Sequence, residues 1–493
     1  MLDKVDLSKR LEKEEFNEVI DGLKIKLSEL QRKAKELKIP IIIVFEGWGA
    51  SGKGTFINEL ILPLDPRGFN VYTTNVLNED ERLRPFLWRY WIRTPEKGRM
   101  AIFDRSWYRR VLVERVDNDI KGEQLKNAFQ DINSFEKQLT DDGNVIIKFF
   151  LHISKKEQKE RFRKLEKNLS TAWRVTEADW KHNQQYDTYI KVIDEAIQET
   201  DTETSPWIVI EAEDRRYAII KIFKSIISIL EDKINSVGQN DKNKVKGINV
   251  YKGVQTSSLL DNIDLTKDIT KEEYKRKLKQ YQERIRELEH EIYLKRIPVL
   301  IVYQGWDAAG KGGNIKRLTQ NLDPRGYEVI PISAPSEVEK AHHYLWRFWN
   351  KMPKGGHIAI FDRSWYERVM VERIEGFCSS DEWKRAYHEI NEMEEQINNF
   401  GGIIIKFWLH IDKDEQLKRF TERQNNPEKQ WKITDEDWRN REKWDIYNIA
   451  ISEMLLKTST TYAPWTIVES NSKYYARIKA LKTVIDTIEE RLR

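Results

Sequence analysis

The feature that most constrains this chain is a gapless internal repeat. The lysines of two glycine-rich segments, GWGASGKGT at 47–55 and GWDAAGKGG at 305–313, are 258 residues apart. The same offset relates two DPRG segments and two FDRSWY segments. A repeat of this length is the size of a domain, so it indicates duplication of a whole fold and not a solenoid.

The repeat sets the expected domain boundaries. The chain has 493 residues, enough for two domains with full cores. Between the copies lies a stretch rich in Gly, Asn, Ser and Lys with little periodicity, which is typical of a linker. We predict a first domain at 1–238, a linker at 239–260 and a second domain at 261–493.

Within each copy, short apolar segments alternate with helical patterns. In the second copy, buried strands are predicted at 298–303, 357–362 and 401–411, and amphipathic helices at 271–296 and 311–322. Apolar strands separated by helices imply a parallel sheet covered on both faces. The predicted fold class is α/β, doubly wound and present twice.

Composition limits the classes of partner. Lys and Arg number 85 against 81 Asp and Glu, so any polyanion must meet a local basic channel, and nucleic acid is not an expected partner. The longest apolar run, Ile39–Phe45, is too short to cross a bilayer, which needs about 20 residues. The charged N-terminus lacks a signal peptide, and the single cysteine, Cys378, fits a reducing compartment. We expect a cytoplasmic protein without a membrane partner.

Each glycine-rich segment has the spacing of a phosphate-binding loop placed between a buried strand and a helix, which is the context that validates this motif. In the second copy, Gly305 and Gly310 permit the turn and a close approach of backbone to phosphate. The loop N–H groups and the helix N-terminus supply partial positive charge. Lys311 is expected to reach the transferred phosphoryl group.

The loop lacks the hydroxyl that usually coordinates Mg²⁺ after the lysine, because Gly312 occupies that position. Phosphoryl transfer still requires a cation to neutralise charge. Asp307 in the loop and Asp362 at a strand end are the candidate metal ligands, and Arg363 is a candidate phosphate clamp. The alternative for Asp307 is a helix N-cap.

A charged segment, Asp412–Trp438, follows the third predicted strand. It carries Arg419, Arg423 and Lys429 and is interrupted by Pro427. Such a segment is either a solvated helix face or a mobile lid that closes basic side chains over phosphates.

Four segments of the second copy, GWDAAGKGG, DPRG, APSEVEKAHHYLWRFW and FDRSWYERVMVERIEGF, together resemble the polyphosphate kinase 2 family. The tandem form is similar to the two-domain (class II) members of that family. The resemblance implies a thymidylate-kinase-like α/β/α core with a helical lid. It also implies Mg²⁺-dependent transfer of a terminal phosphoryl group from inorganic polyphosphate to a nucleoside monophosphate, AMP giving ADP. A homo-oligomer (dimer) is expected.

The resemblance also implies roles for individual residues. The expected catalytic residues are Asp307, Lys311, Asp362, Arg363 and Glu372, with Asp307 and Asp362 as metal ligands. The expected phosphate-binding residues are Gly305, Ala308, Ala309, Gly310, Lys311, Gly312, Gly313, Arg419, Arg423 and Lys429. Arg347 either faces the site or packs within its aromatic helix.

The first copy departs from this pattern at polar positions. Gly49, Arg109, Leu165 and Thr171 stand where the second copy has Asp307, Glu367, Arg423 and Lys429. Lys53, Asp104 and Arg105 remain. We predict that the first copy is catalytically inactive and is retained as a packing partner or weak anion binder.

Three other functions are compatible with a phosphate-binding loop of this kind. They are an ATP-dependent nucleotide kinase, a polyphosphate kinase acting on nucleoside diphosphates, and a non-catalytic polyphosphate- or nucleotide-binding protein.

Overall fold

The structure, a computed structural model, describes residues 2–240 and 259–493. These residues divide into two compact units. The first contains residues 2–77, 89–240 and 337–343, and the second contains 78–88, 259–336 and 344–493. The predicted linker lies almost wholly outside the described residues. No described helix combines the length and the apolar character needed to span a bilayer.

Each copy of the repeat forms one five-stranded sheet in which every strand pair is parallel. The strands of the first sheet are β1 Ile41–Gly47, β2 Phe69–Thr73, β3 Met100–Asp104, β4 Val145–His152 and β5 Trp207–Glu211. Those of the second sheet are β6 Val299–Gly305, β7 Tyr327–Pro331, β8 Ile358–Asp362, β9 Ile403–His410 and β10 Trp465–Glu469. The spatial orders, β2-β3-β1-β4-β5 and β7-β8-β6-β9-β10, are the same.

Helices surround both sheets. The helices of the first copy are α1 Lys13–Glu36, α2 Lys53–Ile61, α3 Glu79–Arg82, α4 Trp88–Trp91, α5 Arg109–Val116, α6 Glu123–Asp141, α7 Lys155–Glu166, α8 Glu177–Gln184, α9 Tyr186–Thr200 and α10 Arg215–Asn240. Those of the second copy are α11 Lys271–Leu294, α12 Lys311–Thr319, α13 Glu337–Lys340, α14 Trp346–Trp349, α15 Val371–Ile374, α16 Ser380–Asn399, α17 Lys413–Gln424, α18 Asp435–Glu442, α19 Trp444–Thr458 and α20 Lys473–Leu492.

The helices form two layers around the second sheet. One layer contains α11, α12 and α20, which contact one another, and the other contains α16 and α19; α20 and α16 both contact β9. All eight residues of β9 are buried, as expected of a strand covered on both faces. The predicted tandem α/β/α architecture is confirmed.

The two FDRSWY segments turn out to build the core. In the second copy, Trp365 Nε1 and the Tyr366 hydroxyl donate to Glu394 Oε1, at 3.1 and 2.6 Å. Lys406 Nζ donates to Glu394 Oε2 at 2.7 Å and to the Thr458 carbonyl at 2.7 Å. The side chains of Glu394 and Lys406 are fully buried. These hydrogen bonds connect β9, which carries Lys406, to α16, which carries Glu394, and to α19, which carries Thr458.

Strand order determines where the loop lies. The chain leaves β6, returns through β7 and β8 on one side, and then crosses to β9 and β10 on the other. Crevices at the carboxyl ends of parallel strands open where the order reverses in this way. The loop after β6 and the end of β8 therefore meet at the same edge of the sheet.

Candidate functional site

The loop after β6 is held in a conformation that requires glycine at two positions. Gly305 has φ +153°, and a Cβ there would lie 2.6 Å from the Leu409 carbonyl oxygen of the neighbouring strand. Gly310 has φ +107° and forms the N-cap of α12. Ala308 also adopts a left-handed φ of 64°. The loop backbone is therefore tightly curved between the end of β6 and the start of α12.

Lys311 begins α12 and lies over the loop. Its Nζ donates to the Gly305 carbonyl at 2.8 Å. It lines a cavity of about 500 Å³ together with Gly310, Gly312 and Gly313. The open backbone at the glycines leaves room for a phosphate beside the helix N-terminus, where partial positive charge favours anions.

Asp307 lies at the centre of a small polar network. Arg363 Nη2 lies 3.4 Å from Asp307 Oδ1, and Asn440 Nδ2 donates to Oδ2 at 3.0 Å. Arg363 has φ 65°, a left-handed conformation that directs it from the end of β8 toward the loop. Asp362 lines the same cavity as Asp307. The structure thus brings together the loop and strand-end residues expected from the sequence.

Two further carboxylates face this network. Burial raises the pKa of Glu367, opposed by the charges of Arg363 and Lys311. Burial also raises the pKa of Asp437, and the nearby Asp307 charge adds to that effect. Asp307, Asp362, Glu367 and Asp437 therefore lie around the loop together with the cations Lys311, Arg363 and Arg423.

Arg419 holds the loop in place. Its Nη1 donates to the Ala308 and Ala309 carbonyls at 2.9 and 3.2 Å, and its Nη2 donates to the Ser470 and Asn471 carbonyls at 2.7 and 2.9 Å. Its Nε donates to Glu415 at 2.7 Å. A guanidinium has five N–H donors, and these five contacts use them. Arg419 therefore supports the loop and also lines the cavity beside it, and direct binding of phosphate by Arg419 stays a prediction.

The other two cations expected in the lid do face open space. Arg423 lines two cavities, one of about 500 Å³ beside Lys311 and another of about 180 Å³ on the other side of the loop. Lys429 lines the smaller one. Two residues of α20, Lys473 and Arg477, complete that cavity, which we call the basic groove.

Glu372 is not brought to the loop. Its carboxylate pairs with Arg368 at 3.1 Å, and it lines none of the cavities around Lys311. Burial raises the pKa of Glu372, while Arg368 and then Arg347 oppose the rise. Arg347 donates to the Ser333 carbonyl at 3.1 Å. Neither residue contacts the loop, so their expected roles at the reacting phosphate have no support in the geometry.

Six residues that line these cavities received no role at the site from the sequence. They are Glu367, Glu436, Asp437, Asn440, Lys473 and Arg477. Glu367 lies beside the FDRSWY segment and differs between the copies, so the alignment held a signal for it. Lys473 and Arg477 lie on one face of a long charged helix, where only tertiary structure separates them from solvated lysines and arginines.

Comparison with known proteins agrees with this geometry. A sequence profile of the polyphosphate kinase 2 family matches residues 10–237 and 268–493. A protein of Pseudomonas aeruginosa named polyphosphate:AMP phosphotransferase is 40% identical over 490 residues, 99% of each chain. A protein of Acinetobacter johnsonii with the same name is 33% identical over 455 residues, 91% of each chain. A crystal structure described as a polyphosphate kinase 2 from Pseudomonas aeruginosa PA01 superposes with a TM-score of 0.88 at 38% identity, covering 100% of this chain and 99% of that one.

Proposed function

Because the chain belongs to the polyphosphate kinase 2 family, we propose that its second unit transfers the terminal phosphoryl group of inorganic polyphosphate to AMP. The products are ADP and a polyphosphate shorter by one phosphate. One observation carries this assignment to the second unit. The glycine-rich loop lines both the basic groove and a second cavity that contains Lys311 and three aspartates, so that proposed donor and acceptor sites meet at this loop.

The basic groove is the proposed binding site for the donor. Its cations are Arg419, Arg423, Lys429, Lys473 and Arg477, with Glu422 as the one carboxylate in its lining. A cleft lined by one sign of charge concentrates an oppositely charged chain. A run of phosphates needs this kind of repeated positive charge along its length. The loop amides and Lys311 then receive the terminal phosphate.

The carboxylates beside the loop are suited to Mg²⁺. This ion is typically held by one or two carboxylates together with substrate phosphates and water. Asp307 and Asp362 would provide those two ligands, and both line the cavity that contains Lys311. When bound, the ion would neutralise negative charge on the phosphate oxygens.

The protein's own residues act by positioning the two phosphates and balancing their charge. The acceptor is a phosphate monoester whose second pKa is about 6, so it is largely a dianion near neutral pH and needs no strong general base. Arg363 is placed to clamp it, because its guanidinium reaches over the loop toward Asp307. Arg419 keeps the loop in the shape that receives the donor phosphate.

A donor–acceptor screen tests this proposal. Purified full-length protein is incubated with Mg²⁺, each of polyphosphate and ATP as donor, and nucleoside mono- and diphosphates as acceptors. We expect ADP from polyphosphate and AMP without any ATP. Product formation with ATP alone as donor would favour an ordinary nucleotide kinase, and exclusive use of diphosphate acceptors would identify a different acceptor. No product with any pair would leave only a binding function.

A further inference from the structure

The first unit keeps a cavity at the position that corresponds to the acceptor side of the second site. It has a volume of about 630 Å³, within the range of roughly 300–1,000 Å³ that is typical of small-molecule sites. Its lining includes the loop residues Trp48 and Gly49, the strand-end residue Arg105 and several residues of α5 and α8. This cavity has no part in the phosphotransfer assigned to the second unit.

Four substitutions between the copies change the charge of this cavity. Gly49 and Ala178 replace the carboxylates of Asp307 and Glu436, and Arg109 replaces Glu367 with a cation. In the opposite direction, Glu46 replaces Gln304. The net effect is three more positive charges at matched positions. Asp117 and Asp179 remain in the lining with Glu46, against four cations, Arg105, Arg109, Arg174 and Lys181. The cavity therefore carries a small excess of positive charge, whereas carboxylates outnumber cations in its counterpart.

The additional carboxylate, Glu46, is engaged in hydrogen bonds with Ser106. Glu46 Oε1 accepts hydrogen bonds from the backbone N–H and the hydroxyl of Ser106, at 2.7 and 2.9 Å. Burial raises the pKa of Glu46, an effect opposed by Lys53 and Ser106. Its negative charge therefore acts on Lys53 and also on Arg105 at the end of β3.

Arg105 has the same backbone conformation as its counterpart, with φ 61° against 65° for Arg363. In the second unit that arginine faces Asp307 at 3.4 Å. In the first unit Gly49 offers no carboxylate, and no ion pair to Arg105 occurs among the described residues. Arg109, on the first turn of α5, lines the same cavity, and the acidic neighbour of its Nε is Glu114 at 3.8 Å.

Three of the cations that line the basic groove of the second unit are replaced by uncharged residues here. Leu165, Thr171 and Ile219 stand where the second copy has Arg423, Lys429 and Arg477. A long polyphosphate therefore loses most of its contacts, and a ligand with a single phosphate is favoured.

Aromatic rings form the apolar part of the cavity. Trp48, Phe150 and Tyr189 line it and are buried. Trp48 stacks on Tyr186 with ring centroids 4.0 Å apart, which fixes its orientation. A rigid aromatic wall beside two arginines matches a ligand that combines a planar base with a phosphate.

From these observations we propose that the first unit binds a nucleoside monophosphate through Arg105 and Arg109, without a metal ion and without transferring its phosphate. The site is distinct from the one proposed for phosphotransfer. Binding in the absence of divalent cations is the property that separates the two.

Calorimetric titration of the full-length protein with AMP in excess EDTA tests this proposal. We expect one metal-independent site in the natural protein. Arg109→Glu restores the charge found in the second copy and is expected to weaken this binding by at least about tenfold. Arg163→Glu, an exposed position of α7 outside the cavity, makes the same change in net charge and should leave the binding unchanged.

Two variants at matched positions show which unit binds AMP. Arg105→Ala should abolish the EDTA-resistant binding, whereas Arg363→Ala, at the corresponding position of the second unit, should leave it in place. Thermal unfolding of each variant establishes that it is folded. The proposal is overturned if AMP does not bind in EDTA, if Arg109→Glu binds as well as Arg163→Glu, or if inorganic phosphate binds as tightly as AMP.

Discussion

At the scale of single residues, arginines of the second site have two roles. One supports the backbone of the loop, and others line the cavities beside it. The guanidinium of Arg419 donates hydrogen bonds to backbone carbonyls of Ala308 and Ser470 and to the carboxylate of Glu415. Arg161 makes the corresponding contacts in the first unit, where its terminal nitrogens donate to the Ala50 and Ala212 carbonyls at 3.2 and 2.8 Å. A contact kept in both copies serves the fold, whereas Arg423 occurs only in the second copy.

We predict that Asp307→Asn lowers the turnover of polyphosphate-dependent ADP formation by about 10²–10³-fold. The amide keeps the size of the side chain and its contact with Asn440, but it removes the charge proposed to hold Mg²⁺. The rate at saturating Mg²⁺ and the thermal midpoint are the measurements. Turnover near that of the natural protein in this variant would contradict the metal-ligand role.

A second prediction concerns the buried pair of Lys406 and Glu394. Burial lowers the pKa of Lys406, and Glu394 opposes that effect. Glu394→Gln leaves the lysine without a counter-charge and is expected to reduce the free energy of unfolding by about 3–5 kcal/mol. Asp486→Asn breaks an exposed pair with Lys482 and should cost about 1 kcal/mol or less. The measurement is urea denaturation of both variants. Equal losses in the free energy of unfolding would show that the buried pair contributes no more to stability than the exposed pair.

At the scale of elements, α20 connects the core to the site. Its apolar face is buried, with Leu481 and Val484 in the core, and it contacts β9 and α12. Its first turns place Lys473 and Arg477 along the basic groove. In the first copy the corresponding helix has Ile219 in place of Arg477, so the packing role is kept while the charge is lost.

We therefore predict that Arg477→Ile raises the KM for polyphosphate by about tenfold and weakens its dependence on salt. The KM for AMP should change little, because this residue lines the donor groove. Initial rates over a range of polyphosphate and AMP concentrations separate the two effects. An equal rise in both constants would argue against a groove that serves the donor alone.

At the scale of the whole molecule, duplication has preserved the framework and changed the chemistry. The strand register is the same in both copies: Ile41 pairs with Met100 and Val145, and Val299 pairs with Ile358 and Ile403. The lysine of the first loop also keeps its contact, with Lys53 Nζ donating to the Gly47 carbonyl at 2.8 Å. Core positions differ between the copies by exchange of one apolar residue for another, as at Ile42 and Leu300, whereas several positions around the cavities differ in charge.

If catalysis belongs to the second copy alone, as we propose, the matched lysine substitutions should have unequal effects. Lys311→Met should reduce polyphosphate-dependent ADP formation by about 10³-fold, because it removes the cation that meets the transferred phosphate. Lys53→Met, made in the full-length chain at the matched position, should retain turnover within about threefold. The measurements are the rate of ADP formation and the thermal midpoint of each variant. Comparable losses in both variants would show that the first loop also takes part in catalysis.

The sequence alone was sufficient for the duplication, the fold class and the location of the loop. Buried central strands are continuous apolar runs, and glycines at positive φ have no close substitutes, so both leave plain patterns. The edge strand β7 was not predicted, because three of its five residues are exposed and its pattern resembles that of a loop. Edge strands carry less of the hydrophobic signal from which strands are recognised.

Only the tertiary structure decided which charged residues line the cavities beside the loop. A chain with 85 Lys and Arg offers many basic helix faces, and sequence spacing does not distinguish a groove from a solvated surface. Folding placed Arg477 at the loop, engaged the donors of Arg419 with backbone carbonyls and left Glu372 with Arg368. The physical reason is that packing patterns repeat locally along the chain, whereas a charged site is assembled from elements far apart in sequence.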